Sequence, residues 1–207
     1  MVHIWIGPFK PPIQWMNTWK EKHPDWDYSI FTDEMYKSRT WYNQHLMDEY
    51  YSKEVWAGVA DLIRYELLYE DGGFLPPADA ICYENMDEVF TSPSDYAYTV
   101  YENDRDEHIA PNWISPIQAC NAGNTLVKLL IDTLHELKVE ELSLKPWQST
   151  GNEFLSQFVP DKEKHKLTIW PSYYTIPRHY SIRSTPYMGN DKIYAEQMWG
   201  STKKIYV

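Results

Sequence analysis

Cysteine is nearly absent: Cys82 and Cys120 are the only two in 207 residues. Two cysteines do not make a disulfide framework, so packing must hold the fold, and both are expected as reduced core residues. Long hydrophobic runs are missing as well. No apolar stretch approaches the roughly 20 residues that span a bilayer, and Met1-Val2-His3 leads straight into a strand-like run instead of a signal peptide. A cytoplasmic setting is the expectation. Positive charge is scarce: 19 Lys and Arg stand against 30 Asp and Glu, a net charge of −11. That balance does not suit nucleic acid or an anionic membrane, both of which want a basic patch. It still allows a nucleotide ligand, because a bound divalent cation supplies positive charge locally. Internal repeats, low-complexity tracts and linkers are also lacking, and the length suits one α/β domain with a sizeable core.

Aromatic residues are plentiful. Ten Trp and seventeen Tyr bring the aromatic content to 16%. Flat aromatic faces pack in cores, and they also bind the apolar faces of sugars and nucleobases.

One stretch organises the chain, AGVADLIRYELLYEDGGFLPPAD from Ala57 to Asp79. Val55, Val59, Leu62, Ile63 and Leu67 recur at spacings of three and four, one face of an amphipathic helix. Asp61 and Arg64 are three apart and so neighbour each other on it. Gly72 and Gly73 end the helix. Phe74 and Leu75 start a buried strand, which Pro76 and Pro77 must terminate because proline cannot donate to a sheet ladder. Asp79 then falls just past the strand's C-terminal end, where open α/β sheets place ligands.

The remaining elements follow in order. Val2–Ile6 is a first strand, closed by the rigid Gly7-Pro8 turn. Trp15–Lys22 is a short helix broken at His23-Pro24, and Tyr28–Phe31 is a second strand. Asp33 is expected as a helix cap, alongside Thr32. Residues 40–52 read as a lid or surface helix. Tyr96–Tyr101 alternates as a strand, and Glu102–His108 reads as a solvated charged turn. Trp113–Ala119 is apolar, and Asn124 opens a helix to about Leu137. A helix follows Thr150-Gly151, Leu167–Trp170 is a strand, and Pro171–Pro186 reads as an ordered surface loop. Trp5 is favoured for the core by strand alternation.

The segments Asp61-Leu62-Ile63-Arg64-Tyr65, Leu68-Tyr69, Gly72-Gly73 and Ala78-Asp79 together resemble the DXD-type glycosyltransferases of the GT-A fold. They are most similar to the capsular and mannosyl sugar transferases of glycosyltransferase family thirty-two. The short, aromatic chain also resembles sugar transferases encoded by large algal viruses, which would put it in a host-cell cytoplasm. Further matches are the HIWIGP run from His3, the segment Pro24-Asp25-Trp26 with Thr32-Asp33-Glu34, the pair Thr150-Gly151, and Tyr194-Ala195 with Trp199-Gly200-Ser201. Two positions depart from the pattern, and both concern metal. Pro77 stands where the first Asp of the DXD pair falls, and Gln197 stands where the family has a metal-binding His.

The resemblance implies a single mixed, mostly parallel α/β domain. Residues 1–90 would form a Rossmann-like nucleotide- and metal-binding half, and residues 91–207 an acceptor and lid half. It implies a metal-dependent transferase moving a sugar from a nucleotide sugar, with UDP-hexose or UDP-deoxyhexose as donor and a glycan or glycoprotein as acceptor, with retention. Arg64 and Asp79 would be catalytic. His3, Trp5, Gly7, Asp61, Arg64, Ala78, Thr150, Gly151, Gly200, Ser201 and Lys203 would hold the nucleotide and donor. Asp79 and Gln197 would hold Mn2+ or Mg2+. Asn121 and Asn124 are weaker candidates, Asn124 being explained by a cap, and Lys204 would add charge with Lys203. Two readings stand beside this one: a catalytically degenerate nucleotide- or glycan-binding module, motivated by the two departures, and a glycoside hydrolase, for which no motif selects a carboxylate pair. The end of the sequence is compatible with further domains in a longer chain.

Overall fold

The computed structural model describes residues 1–91, 96–106, 113–181, 184–203 and 205, with Ser201 described by its backbone alone. The chain opens on β1 (Val2–Ile4), α1 (Ile13–Lys22), β2 (Ser29–Phe31), α2 (Asp33–Lys37), α3 (Gln44–Ser52) and α4 (Trp56–Glu70). It continues through β3 (Gly73–Phe74), β4 (Ala80–Cys82), β5 (Ala97–Val100), β6 (Ala119–Cys120) and α5 (Thr125–His135). The last third holds α6 (Pro146–Ser149), α7 (Asn152–Ser156), β7 (Leu167–Trp170), β8 (Ala195–Gln197) and α8 (Gly200–Lys203).

The strands pair in three groups. β1 and β2 run parallel, β3-β6-β5-β7 form a four-stranded sheet, and β4 pairs with β8. β5 and β7 are parallel, whereas β3-β6, β5-β6 and β4-β8 are antiparallel. The sheet is therefore mixed, and less parallel than expected. The cause is local: the Gly-Gly and Pro-Pro steps make β3 and β4 very short, so late strands reach back to pair with them.

The long helix α4 is central because three of its faces are used. Val59, Leu62, Ile63 and Leu68 are at most 1% exposed and pack among α3, α5 and the sheet. Truncating Leu62 to Ala would cost about 2–5 kcal/mol through lost transfer energy and a residual cavity. Gly58 lets α3 approach, since a Cβ there would sit 2.4 Å from the Tyr50 ring. Glu66, also buried, accepts hydrogen bonds from the backbone N–H groups of Tyr42 and Asn43 at 2.8 and 2.9 Å. Residues Ala57, Ala60, Asp61 and Arg64 form the remaining stripe, at the spacing of one helix face, and they line a cavity. The helix stops at Asp71, and Gly72 takes the left-handed φ of +67°.

Several local expectations change. Residues 44–52 are not a lid: Leu46, Met47 and Tyr50 are fully buried and α3 is a core helix. Glu102 and Asn103 are buried, not a solvated turn, while Glu107 and His108 lie outside the described residues. The segment after β7 is not a surface loop either, because Ser172, Thr175, Ile176 and His179 are buried; Ile182 and Arg183 lie outside the described residues. Asp33 does not cap α2. Its carboxylate accepts instead from the Gly7 N–H at 3.0 Å and the Tyr51 hydroxyl at 3.1 Å. Asn124 does cap α5, accepting from the Leu126 and Val127 N–H groups. Both cysteines are free and buried, and burial pushes each thiol up to about 12. Among the described residues, no helix is long and apolar enough to cross a membrane.

Candidate active site

The cavity beside α4 has a volume of about 1370 Å³. Ligand pockets for drug-sized molecules are roughly 300–1,000 Å³, so this one is larger than a single such ligand requires. Its walls come from the end of β1, the α4 stripe, the Pro77-Ala78-Asp79 turn, the segment around Glu102 and Trp113, the start of α7, and the Gln197–Thr202 region. The described lining residues include four carboxylates, Glu54, Asp61, Asp79 and Glu102, and one guanidinium, Arg64.

Asp61 and Arg64 are half-buried and line this cavity. Burial raises the Asp61 carboxyl to about 6, with partial offsets from Arg64 and from the Thr150 hydroxyl. Thr150 Oγ1 donates to Asp61 Oδ2 at 3.0 Å, and Tyr65 Oη donates to the Thr150 carbonyl at 2.5 Å. A Cβ on Gly151 would stand 3.3 Å from that same Asp61 oxygen and 3.0 Å from the Trp147 backbone. Thr150 and Gly151 therefore buttress Asp61. Arg64 donates from Nη1 to the Leu75 carbonyl, and its buried Nε has no hydrogen-bond partner among the described residues. Burial also lowers its affinity for a proton, an effect opposed by Asp61.

Asp79 closes the opposite side. Gln197 Nε2 donates to Asp79 Oδ1 at 2.6 Å and the Gly200 N–H donates to Oδ2 at 2.8 Å. The Met198 N–H also donates to the Asp79 carbonyl at 2.8 Å. Three contacts thus pin the C-terminal segment onto the turn, and they hold Trp199 in a left-handed conformation (φ +59°) that costs an L-residue roughly 1–2 kcal/mol. The two positions that depart from the family pattern, Pro77 and Gln197, lie beside Asp79 on this wall.

The other expected residues divide clearly. Trp5 and Ala78 line the cavity, and Trp5 donates from Nε1 to the Phe9 carbonyl at 2.7 Å. Trp5 is thus a wall residue and not an inward core residue. His3 is a correction: it is fully buried between Trp19 and Tyr28 and away from the cavity. Burial, with Arg64 and the N-terminal ammonium assisting, lowers it to about 3. Gly7 is a second correction. It does not line the cavity, and its φ of +108° and close approach admit the Trp56 ring, 2.7 Å from where a Cβ would be. Lys203 is exposed at the end of α8 and does not line the cavity, although Thr202 does. Asn121 stays outside the cavity wall. The side chain of Ser201 and all of Lys204 lie outside the described residues.

Sequence reasoning missed Glu102, Gln118, Asn152 and Thr175 on the cavity wall. The only available signal was position: Glu102 follows β5 and Thr175 follows β7, the two parallel strands of the larger sheet.

Among the described residues, no cluster of three or more His, Cys, Asp or Glu side chains could hold a metal ion. The chain offers one carboxylate, Asp79, and the amide oxygen of Gln197 if that amide turns over. That set fits a hard cation in one way only. Mg2+ is commonly held by one or two carboxylates with substrate phosphates and water completing the shell. Such a site would take Asp79 from the protein and its remaining oxygens from a diphosphate and water.

Residues 12–108 match the glycosyltransferase sugar-binding region containing a DXD motif. No curated protein matches the chain. Among solved structures, the fold is similar to one described as "PaToxG Glycosyltransferase", with a TM-score of 0.58 and 14% identity over 78% of this chain and 67% of that one. The chain is thus similar to DXD-type glycosyltransferases in sequence over residues 12–108, and to a glycosyltransferase in fold.

Proposed function

We propose that the protein transfers a hexosyl or deoxyhexosyl group from a UDP-sugar to a hydroxyl of a glycan or glycoprotein, with Mn2+ or Mg2+ and with retention. The observation that carries this reading is that one cavity of about 1370 Å³ joins Asp61 and Arg64 on α4 to Asp79 and Gln197. Retention and the choice of UDP rest on the family resemblance.

Each residue has a definite task in this reading. Arg64 presents its guanidinium on the cavity wall, and a guanidinium fork suits phosphate oxygens better than an ammonium. Asp61, held by Thr150, accepts hydrogen bonds from nucleoside or sugar hydroxyls. Trp5 and Trp199 supply flat walls. With four carboxylates against one guanidinium among the described lining residues, the cavity repels a bare diphosphate. A divalent cation at Asp79 would neutralise the charge that develops on the departing diphosphate. No side chain is assigned as a base; the departing phosphate oxygen takes the acceptor proton.

The test is calorimetric titration of UDP, GDP and their glucose derivatives with Mn2+ and with EDTA. Metal-dependent binding of UDP species supports the proposal, and donor turnover then completes it. Binding without turnover of any donor would favour the second reading, a degenerate binding module. One observation speaks for that reading: both Asp79 oxygens already accept N–H donors.

A further inference from the structure

We infer that Glu102, with Gln118 and Thr175, forms a subsite that reads the hydroxyl groups of a neutral sugar ring. This rests on the transferase reading above and names which residues recognise the sugar.

Glu102 is a carboxylate built into place. Its side chain is 9% exposed, and that of His179 beside it is 2% exposed. Glu102 Oε1 accepts from His179 Nε2 at 2.9 Å, and Oε2 accepts from Asn152 Nδ2 at 2.5 Å. His179 Nδ1 in turn accepts from the Ser181 N–H at 3.1 Å. That bond fixes the neutral Nε2–H tautomer, because a proton on Nδ1 would face the Ser181 donor. Glu102 Oε1 is thus an acceptor of the Nε2 proton. An ionised carboxylate offers about four lone-pair sites, and His179 and Asn152 use two. Glu102 lines the cavity, so its remaining sites are available to a ligand there.

A second observation is independent of Glu102. Gln118 Oε1 and Thr175 Oγ1 are buried, belong to cavity-lining residues, and have no hydrogen-bond partner among the described residues. Buried polar groups are normally satisfied, and each one left alone costs about 1–3 kcal/mol. Both residues line the cavity, where a rotation of either side chain would offer its oxygen to a ligand rich in hydroxyls, each of which both donates and accepts.

The surroundings fit the same ligand. Trp113 accepts the Glu102 N–H through its carbonyl at 2.8 Å, and its ring lies 5.1 Å from that of Trp147. The rings of Tyr180 and Trp199 lie 4.4 and 5.1 Å from His179. Aromatic faces beside a carboxylate bind the apolar face and the hydroxyl rim of a pyranose together. An anionic sugar would be repelled, since Glu54, Asp61 and Asp79 share the cavity.

The sugar could be that of the donor or that of the acceptor. Glu102→Gln and Thr175→Val keep shape, and Gln can retain contact with His179 and Asn152. Thermal melting checks that each variant folds. Both variants and the wild type are then titrated with UDP, UDP-glucose, UDP-galactose and GDP-mannose in Mn2+. Methyl glucoside and methyl mannoside binding is followed by saturation-transfer NMR, with and without UDP. The expected result is unchanged UDP affinity and a loss of roughly tenfold or more in one sugar-dependent signal. Loss of the advantage of a sugar nucleotide over its nucleotide assigns the subsite to the donor. Loss of methyl glycoside binding assigns it to the acceptor. Folded variants that match the wild type in both measurements overturn the inference. A wild type that binds no nucleotide overturns the transferase reading instead, and the methyl glycoside measurement then decides Glu102 by itself.

Discussion

Gln197 reaches across 118 positions of sequence to donate its side-chain amide to Asp79 Oδ1 at 2.6 Å. The same carboxylate accepts the Gly200 N–H at 2.8 Å. One acidic side chain on a proline-stiffened turn thus performs two tasks: it fastens the C-terminal segment, and it faces the cavity as a candidate ion ligand. Substitutions that separate the two tasks are the most informative.

Asp79→Asn keeps the fastening, because an Asn oxygen still accepts from Gly200 and its amide can pair with the Gln197 oxygen. It removes the charge a cation needs. The expected outcome is a melting temperature within about 2–3 °C of wild type, a shift of order 1 kcal/mol or less, and a loss of Mn2+-dependent UDP affinity of roughly tenfold or more. Unchanged affinity in Mn2+ would remove Asp79 from the ion site.

Mn2+ without nucleotide should bind weakly or not at all, since among the described residues no three ligating side chains converge. Adding UDP should produce strong mutual enhancement, readable as line broadening or calorimetric heat. Introducing the missing carboxylate with Pro77→Asp should tighten Mn2+ binding in the absence of UDP. Tight binding of the bare ion to the wild type would show that a complete site exists elsewhere.

Arg64→Ala removes the one guanidinium among the described lining residues. Nucleotide affinity is expected to fall by roughly tenfold to a hundredfold, as for loss of a charge-assisted hydrogen bond. Arg64→Lys should restore little, because an ammonium cannot hold the Leu75 carbonyl and a donor oxygen with the same fork. Full nucleotide affinity and turnover in Arg64→Ala would reduce Arg64 to a structural role.

Asp61 predicts a pH dependence with a definite sign. Its carboxyl is raised to about 6 by burial, so the ionised acceptor form prevails only above that pH. Donor affinity should therefore climb as pH rises through about 6, and Asp61→Asn should flatten that limb. Stability runs the other way. Between about 4 and 6 the unfolded chain has already lost this proton and the folded chain has not, so Asp61 lowers stability as pH rises through that window. A binding profile identical in wild type and Asp61→Asn would exclude the assignment.

His3 supplies the opposite slope. It is neutral in the fold and held down to about 3, while the unfolded residue titrates near 6.5. Its contribution is complete above about 6.5 and is lost as pH falls toward 3. His3→Phe preserves the ring contacts with Trp19 and Tyr28 and should weaken the acid-induced loss of stability. UDP affinity should not change, because His3 does not line the cavity. A drop in affinity would return His3 to the donor site.

The sequence alone determined what depends on local periodicity. The spacing of Val59, Leu62, Ile63 and Leu67, stopped by Gly72, specifies α4 and its buried faces without reference to anything distant. The same turn-by-turn logic places Asp61 and Arg64 together and leaves Asp79 alone after Pro76-Pro77. Asn124 as a cap and the reduced state of Cys82 and Cys120 were likewise legible. Tertiary structure decided what depends on contacts across the chain. A His in the middle of a strand reads alike whether its side chain enters a site or a core, and only packing against Trp19 and Tyr28 put His3 in the core. The acidic run at Glu102 reads as solvated, because charge in a sequence carries no record of His179, 77 positions later, which hydrogen-bonds it in the interior. The latch on Asp79 and the unpartnered Gln118 and Thr175 are facts of the same kind: hydrogen bonds made, or left unmade, between segments that the sequence keeps far apart.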